Sequence, residues 1–315
     1  MKIKPSTLLA LFLICSLILM FIPESYKATN DNTILVNNEE ASYTSIQNAI
    51  DSASNGDIVT VSNGTYYGTV IINKAITLIG ANKNTTIINA DGKENAIDIS
   101  ASYVTITGFT IVNCGPDKGA AILINSSHNN ISSCIITNNS HHGIYLSPSS
   151  SNNTIYDNII ADNVGKGITA SSSKNNFISK NTITNNECGI CPCASENNTI
   201  TCNIVENNTY GLFMCSTANN NIIYHNDIIN NRGQQTFDIN NNIWYNATLQ
   251  EGNYWSDYTG NDNNTDNIGD TPYNVFGGEN KDAYPLMKPY NTINHENNTT
   301  NDNNTGQNNT SINQT

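Results

Sequence analysis

Between His128 and Asn240 one phrase keeps returning, approximately Asn-Asn-x-Ile-x-x-Asn-x-Ile-x-x-Asn-x-x-Gly-Ile. Set in register it yields three apolar columns: Ile131, Ile155, Ile178, Ile200, Ile223; then Ile136, Ile160, Ile183, Val205, Ile228; then Ile144, Ile168, Ile190, Leu212. Each column recurs every 22 to 24 residues, a period that belongs to stacked solenoids. Polar columns run between them, Asn158, Asn181, Asn203, Asn226 and Asn139, Asn163, Asn186, Asn208, Asn231, with a turn glycine at Gly143, Gly167, Gly189 and Gly211. So short a unit has no room for two helices. β-Branched residues alternating with polar ones, broken by Asn and Gly, read instead as short strands joined by tight turns. Equivalent residues of successive coils then lie about 4.8 Å apart, so the isoleucines stack inward and the asparagine amides can hydrogen-bond from coil to coil. Asn and Gly suit the turns because they tolerate left-handed backbone.

Polarity comes mostly from uncharged Asn, Ser and Thr. The formal charge is −13 and Arg232 is the single arginine, which argues against nucleic acid, since phosphate neutralisation needs clustered Lys and Arg. Lys2 and Lys4 precede an apolar run from Leu8 to Ile22 that ends at Pro23. Residues 1–28 therefore read as a secretory signal or an N-terminal anchor, and no other membrane span is expected. Sequons at Asn63, Asn84, Asn125, Asn152, Asn197 and Asn207 become candidate glycan sites in an exported chain.

Thr44 offers an N-cap for a short helix whose apolar face carries Ile46, Ala49, Ile50 and Ala53, a candidate lid for the open end of the stack. Strand-like runs follow at Ile58 to Val61, Val70 to Ile72, Ile76 to Ile79, Thr86 to Ile88 and Ala96 to Ile99. The opening Ser45-Ile-Gln-Asn-Ala-Ile, Gly56-Asp-Ile-Val-Thr-Val, Asn63-Gly-Thr-Tyr-Tyr and Ile76-Thr-Leu-Ile-Gly resembles right-handed parallel β-helix proteins of the pectin-lyase-like superfamily. The repeats resemble its NosD-like branch, which shares a carbohydrate-binding and sugar-hydrolase repeat. Gly252-Asn-Tyr-Trp-Ser-Asp-Tyr, Ile268-Gly-Asp-Thr-Pro-Tyr and Asp282-Ala-Tyr-Pro-Leu-Met are similar to the ending of archaeal surface members. The resemblance implies an all-β, single-stranded right-handed parallel β-helix with a short N-terminal capping helix. The expected organisation is the β-helix over 43–243, a C-terminal cap over 244–289 and a disordered Asn/Thr-rich tail over 290–315, which lacks apolar residues to offset ordering entropy.

Enzymes of that superfamily use clustered Asp residues, and glycoside hydrolysis needs two carboxylates about 5 to 9.5 Å apart. Asp157, Asp162, Glu206, Asp227 and Asp238 are the repeat's acids, yet no two share a column on adjacent coils, and Arg232 has no acidic cluster beside it. Cys191, Cys193 and Cys215 should share one face, Cys193 and Cys215 each standing four residues after a turn glycine. They are candidates for a soft metal such as Cu(I) or Zn, for a disulfide between Cys193 and Cys215, or for reduced thiols packed as small apolar groups. His141 and His142 read as a polar turn pair. Asp262, Asn264, Asp266 and Asp270 have the one, three, five, nine spacing of an oxygen-ligand loop, a candidate calcium site or a solvated acidic turn. The reading that joins these features is an exported surface β-helix, binding glycans or envelope proteins without catalysis. A polysaccharide lyase or hydrolase is the first alternative, and a copper-handling accessory protein the second.

Overall fold

The structure, a computed structural model, describes residues 32–37, 45–117 and 119–291. The signal-like segment and the tail beyond 291 lie outside them. Three parallel sheets of nine, nine and eight strands form the walls among the described residues. The first sheet begins at Thr33–Val36 and ends at Ile222–Tyr224; the second runs from Gly64–Tyr67 to Tyr254–Trp255; the third from Val70–Ile72 to Gln234–Asp238. Each coil lays one strand in each sheet. The fold is therefore an all-β parallel β-helix, whose crossovers favour the right-handed sense.

The three apolar columns pair as the repeat predicts. Ile155 stands against Ile131 and Ile178, Ile160 against Ile136 and Ile183, and Ile168 against Ile144 and Ile190. All are at most 2 % exposed, and each buried isoleucine contributes about 1.5–3 kcal/mol of apolar transfer.

The turns divide their labour more finely than the repeat suggests. A left-handed residue comes first: Asn152, Asp157 and Asp162 have φ of 57°, 56° and 56°, and their equivalents in later coils repeat it. The asparagine immediately after it is the ladder residue and lies buried. Asn181 is typical. Its Oδ1 accepts both the backbone N–H and the Nδ2 of Asn158 at 3.0 Å, while its own Nδ2 donates to Ile155 O, Ser179 O and Asn203 Oδ1. Every polar atom of the amide is satisfied, which burial demands. A third ladder, through Asn129, Asn153, Asn176, Asn198, Asn221 and Asn242, runs up the remaining corner.

The repeat glycines have a different reason from the one expected. Gly143, Gly167, Gly189 and Gly211 are absent from the positive-φ positions. What they lack is room: a Cβ on Gly189 would meet Val205 Cγ1 at 2.5 Å, Gly211 O at 2.8 Å and Asn208 Nδ2 at 3.1 Å.

Both ends differ from the expected boundaries. The helix spans Ile46–Ser52 and its N-cap is Ser45, whose side chain accepts from Asn48 N, not Thr44, which lies outside the described residues. It buries Ile46, Ala49 and Ile50 over the first coil. Lys74 Nζ caps its C-terminus, donating to the carbonyls of Ile50, Asp51 and Ala53 at 2.6–3.0 Å, where a cation suits the helix dipole. The Gln47 amide bonds both the N–H and the carbonyl of Ile71, closing the edge of the third sheet. Thr33–Val36, in a stretch without readable period, adds a strand to the first sheet by pairing with Ile58–Val61. Tyr254–Trp255 adds one to the second sheet beyond residue 243. Among the described residues no helix is long and apolar enough to cross a membrane.

Candidate functional site

On the outside of the third sheet, chemistry collects around the strand Cys188–Cys193. In the strand pattern around each repeat glycine, the glycine and the residue after it both face inward. Residues three apart, such as 188 and 191, thereby share the outer face. Cys188 stands in register with Lys166 and Tyr210, and Cys191 with Thr169. Cys188 bridges Cys191 within the strand, and Cys193 bridges Cys215 of the next coil. Of the three candidate thiols, Cys193 and Cys215 thus meet each other, while Cys191 turns to Cys188. The pairs leave none of them a thiolate for a soft metal. Cys188 was missed as a partner because a plain strand would place residues 188 and 191 on opposite faces.

The other described cysteines, Cys114, Cys134 and Cys202, are free. Burial raises the pKa of all three, that of Cys134 to about 11, so each remains a thiol at neutral pH. His141 and His142 lie with ring centroids 3.9 Å apart. Nδ1 of His141 is 2.6 Å from Gly119 O, and Nδ1 of His142 accepts the Lys166 N–H at 3.0 Å. Burial, aided by the charges of His141 and Lys166, lowers the His142 pKa to about 4. Among the described residues no three His, Cys, Asp or Glu side chains converge as a metal-binding group.

Beyond the disulfides the same face turns aromatic. Tyr210 packs edge-on to Phe213 at 5.7 Å, Phe213 stacks on Phe237 at 4.6 Å and 13°, and Phe276, from the cap, leans on Phe237 at 6.2 Å. Phe276 is 58 % exposed and the adjacent Ile239 56 %. On a surface built from Asn, Ser and Thr this strip is the concentrated apolar feature. Its sequence signal is the 24-residue spacing of Phe213 and Phe237, each directly after an inward-facing residue, Leu212 and Thr236.

The repeat's carboxylates are dispersed, and those of Asp157, Asp162, Asp227 and Asp238 accept hydrogen bonds. Asp157 accepts from Ser133 Oγ at 2.7 Å and Asp162 from Asn185 Nδ2 at 3.0 Å. Glu206 has Thr184 and Ile229 as register neighbours. Asp227 accepts from Tyr290 N, Asn291 N and Asn291 Nδ2; its pKa is raised by burial, against these hydrogen bonds. Asp238 is fully buried and ends the third ladder, taking the Asn242 amide and the Trp244 indole N–H. Asp282 ends the first in the same way: it accepts from Asn253 N, Trp255 Nε1 and Tyr284 N. Arg232 donates to Asn207 O of the preceding coil.

In the acidic loop the oxygens already serve the loop's own donors. Asp262 accepts the N–H groups of Asp266 and Asn267, Asn264 Oδ1 accepts that of Asp266, and Asp266 accepts that of Ile268. Asp270 faces elsewhere, taking Asn263 N and Nδ2 at 2.8 and 2.6 Å. Asp262, Asn264 and Asp266 are joined by these bonds; Asp270 has separate partners.

Comparison with known proteins adds three findings. The family described as "Periplasmic copper-binding protein (NosD)" matches residues 50–260. A protein of Methanothermus fervidus named "Cell surface glycoprotein" is 34 % identical over 113 residues, 35 % of this chain and 17 % of that protein. The chain thus spans under a fifth of that relative's length. Among solved structures, the pectate lyase Pel9A superimposes with a TM-score of 0.55 at 14 % identity, covering 72 % of this chain and 75 % of that one; at that identity the likeness is one of fold.

Proposed function

This chain belongs to the NosD family, and from that premise we propose that it is an exported envelope protein that holds carbohydrate on the outside of its solenoid without cleaving it. The family's description is periplasmic and the relative's name places that protein at the cell surface. The signal-like N-terminal residues point the same way.

The observation that carries the binding reading is the strip from Tyr210 through Phe213 and Phe237 to Phe276, with the neutral amide of Gln234 in register beside Tyr210. Aromatic rings supply apolar contact at small entropic cost, and neutral amides hydrogen-bond hydroxyls without the desolvation penalty of charge. Glycoside hydrolysis would need two carboxylates free to act, whereas Asp227, Asp238 and Asp282 are spent on amide and indole donors; a lyase, the chemistry in the pectate lyase's name, would need a base beside an acidic cluster, and Arg232 instead donates to Asn207 O. Copper, in the family's description, would need soft or imidazole donors together. With Cys188, Cys191, Cys193 and Cys215 paired in disulfides, the donor set does not fit it, and we derive no role through it.

A glycan array with the purified protein tests the binding reading. Retention of neutral or acidic glycans is expected, falling at least tenfold in Phe276→Ala and Phe237→Ala while the thermal midpoint of Phe276→Ala stays put. A wild-type protein that retains no glycan, or that releases unsaturated or reducing ends from acidic polysaccharides, overturns it.

A further inference from the structure

The repeat's sequons fall into two structural kinds, apart from Asn138-Asn139-Ser140, whose left-handed acceptor already donates its Nδ2 to Thr137 Oγ1 at 3.1 Å. At Asn152, Asn197 and Asn207 the acceptor is the exposed, left-handed residue of the corner, with φ of 56–57°. The middle residue of the sequon is the buried ladder asparagine, Asn153, Asn198 or Asn208, and the hydroxyl residue is Thr154, Thr199 or Thr209. The acceptor side chains make no hydrogen bond among the described residues, so each Nδ2 is presented to solvent while the coil's structural amide sits one residue away. Asn130 is different. It lies within the strand Asn130–Ser132, between Thr105 and Thr154 of the adjoining coils, with its Oδ1 buried and unpaired.

The column that contains Asn152 alternates. Asn152, Asn175, Asn197 and Asn220 occupy the same corner of four successive coils, all near φ 57°. Two residues on, the register runs Thr154, Phe177, Thr199, Ile222. A sequon is thus complete on every second coil, about 9.6 Å apart at 4.8 Å per coil. A pyranose ring with its hydroxyls is wider than one coil rise, so glycans fit along this column only when a coil is skipped.

We propose that Asn152, Asn197 and Asn207 carry N-linked glycans, which clothe two corners of the solenoid and leave the aromatic face of the third sheet bare. In the transfer, Nδ2 attacks the anomeric carbon of an oligosaccharide carried on a lipid phosphate. The new C–N bond replaces the C–O bond to the phosphate, which leaves with the electron pair, and the amide gives up one proton. Ladder asparagines cannot serve, because their Nδ2 protons are all committed inside the wall. The proposal rests on the export reading.

Glycopeptide mass spectrometry on protein isolated from the envelope of its own cells tests it residue by residue. Sugar is expected on Asn152, Asn197 and Asn207 and none on Asn130; Thr154→Ala should bare Asn152 alone. Envelope-located protein with those three residues bare, or with sugar on Asn130, overturns the proposal while leaving export intact. Protein found only in the cytoplasm sinks export and the glycans with it. Phe177→Thr completes a sequon at Asn175 between two occupied coils, and the count on this column should stay at two per chain. Three glycans on one chain would overturn the spacing argument.

Discussion

Asn185 and Asn186 are adjacent, chemically identical and opposite in role, which makes them the sharpest test of the ladder. Asn186 is 2 % exposed. Its Oδ1 accepts Asn163 N at 3.2 Å and Asn163 Nδ2 at 3.0 Å, and its Nδ2 donates to Ile160 O, Thr184 O and Asn208 Oδ1 at 3.0–3.1 Å. Asn186→Ala removes all five bonds. Asn163 Nδ2 keeps Ile136 O, and Asn208 Oδ1 keeps the Asn186 backbone N–H. The Asn163 N–H, however, loses its acceptor inside the wall. An orphaned buried donor costs about 1–3 kcal/mol, and the vacated volume adds to it, so the loss should be about 2–4 kcal/mol. Asn185 is exposed and left-handed, φ 57°, with one side-chain bond to Asp162. Asn185→Ala should cost about 1 kcal/mol of left-handed strain, and Asn185→Gly almost nothing. Urea titrations with unchanged slope measure the three losses, and exchange of the Asn163 amide proton localises the first. If Asn186→Ala costs no more than Asn185→Ala, the ladder amides are decoration and the wall is held by isoleucine stacking alone.

Loss of the Cys193–Cys215 bridge, which closes 22 residues between coils, should cost about 3 kcal/mol by chain entropy. Loss of Cys188–Cys191, closing three, should cost much less; thermal midpoints of the two double Cys→Ser variants compare them. Gly189→Ala should destabilise by about 1–3 kcal/mol, because the added Cβ meets Val205 and Gly211 O closer than 3.0 Å; a midpoint equal to that of wild type would refute the close-approach account. For pH, burial raises the Asp282 pKa to about 6 from 3.8, despite its hydrogen bonds. The folded state thus holds the proton more tightly, and this group's contribution to stability falls as pH rises from about 4 to 6. His142, lowered from 6.5 to about 4, acts in the opposite sense: its contribution is fully present above pH 6.5 and is lost as pH falls toward 4. His142→Gln should therefore uncover a stability that declines from pH 4 to 6, and denaturant midpoints rising over that range would contradict the Asp282 assignment.

The walls were legible because the periodicity is covalent: a 22- to 24-residue repeat with three apolar columns leaves little choice but a stack of short strands. The corner logic was only half legible. Asn-Asn looks like one signal, but its first member is chosen for backbone conformation and its second for amide hydrogen bonds, and only coordinates separate the two. Asp157, Lys180, Cys202 and His225 all replace Asn at the first position with positive φ, whereas Asn158, Asn181, Asn203 and Asn226 never vary at the second. Thr33–Val36 stayed hidden because a single edge strand repeats nothing. The pairing of Cys188 with Cys191 stayed hidden because it depends on two consecutive inward residues, a break in the period-two rule on which strand reading relies.

Why Asp238 and Asp282 are buried at the end of the solenoid follows from the ladders themselves. Each amide in a ladder hands its Oδ1 to the coil before and its Nδ2 to the coil after, so at the last coil the N–H donors of the final asparagine still need an acceptor. A carboxylate accepts without needing to donate, which suits it to that end. Asp238 finishes the ladder through Asn242, Asp282 finishes the one through Asn253, and Gln235 finishes the one through Asn231 while passing its own N–H to Ser256 Oγ. Trp244 and Trp255 each turn an indole N–H to one of the two carboxylates and lay the ring over the last apolar layer. Asp238, Asp282, Trp244 and Trp255 are thus explained by closing the stack.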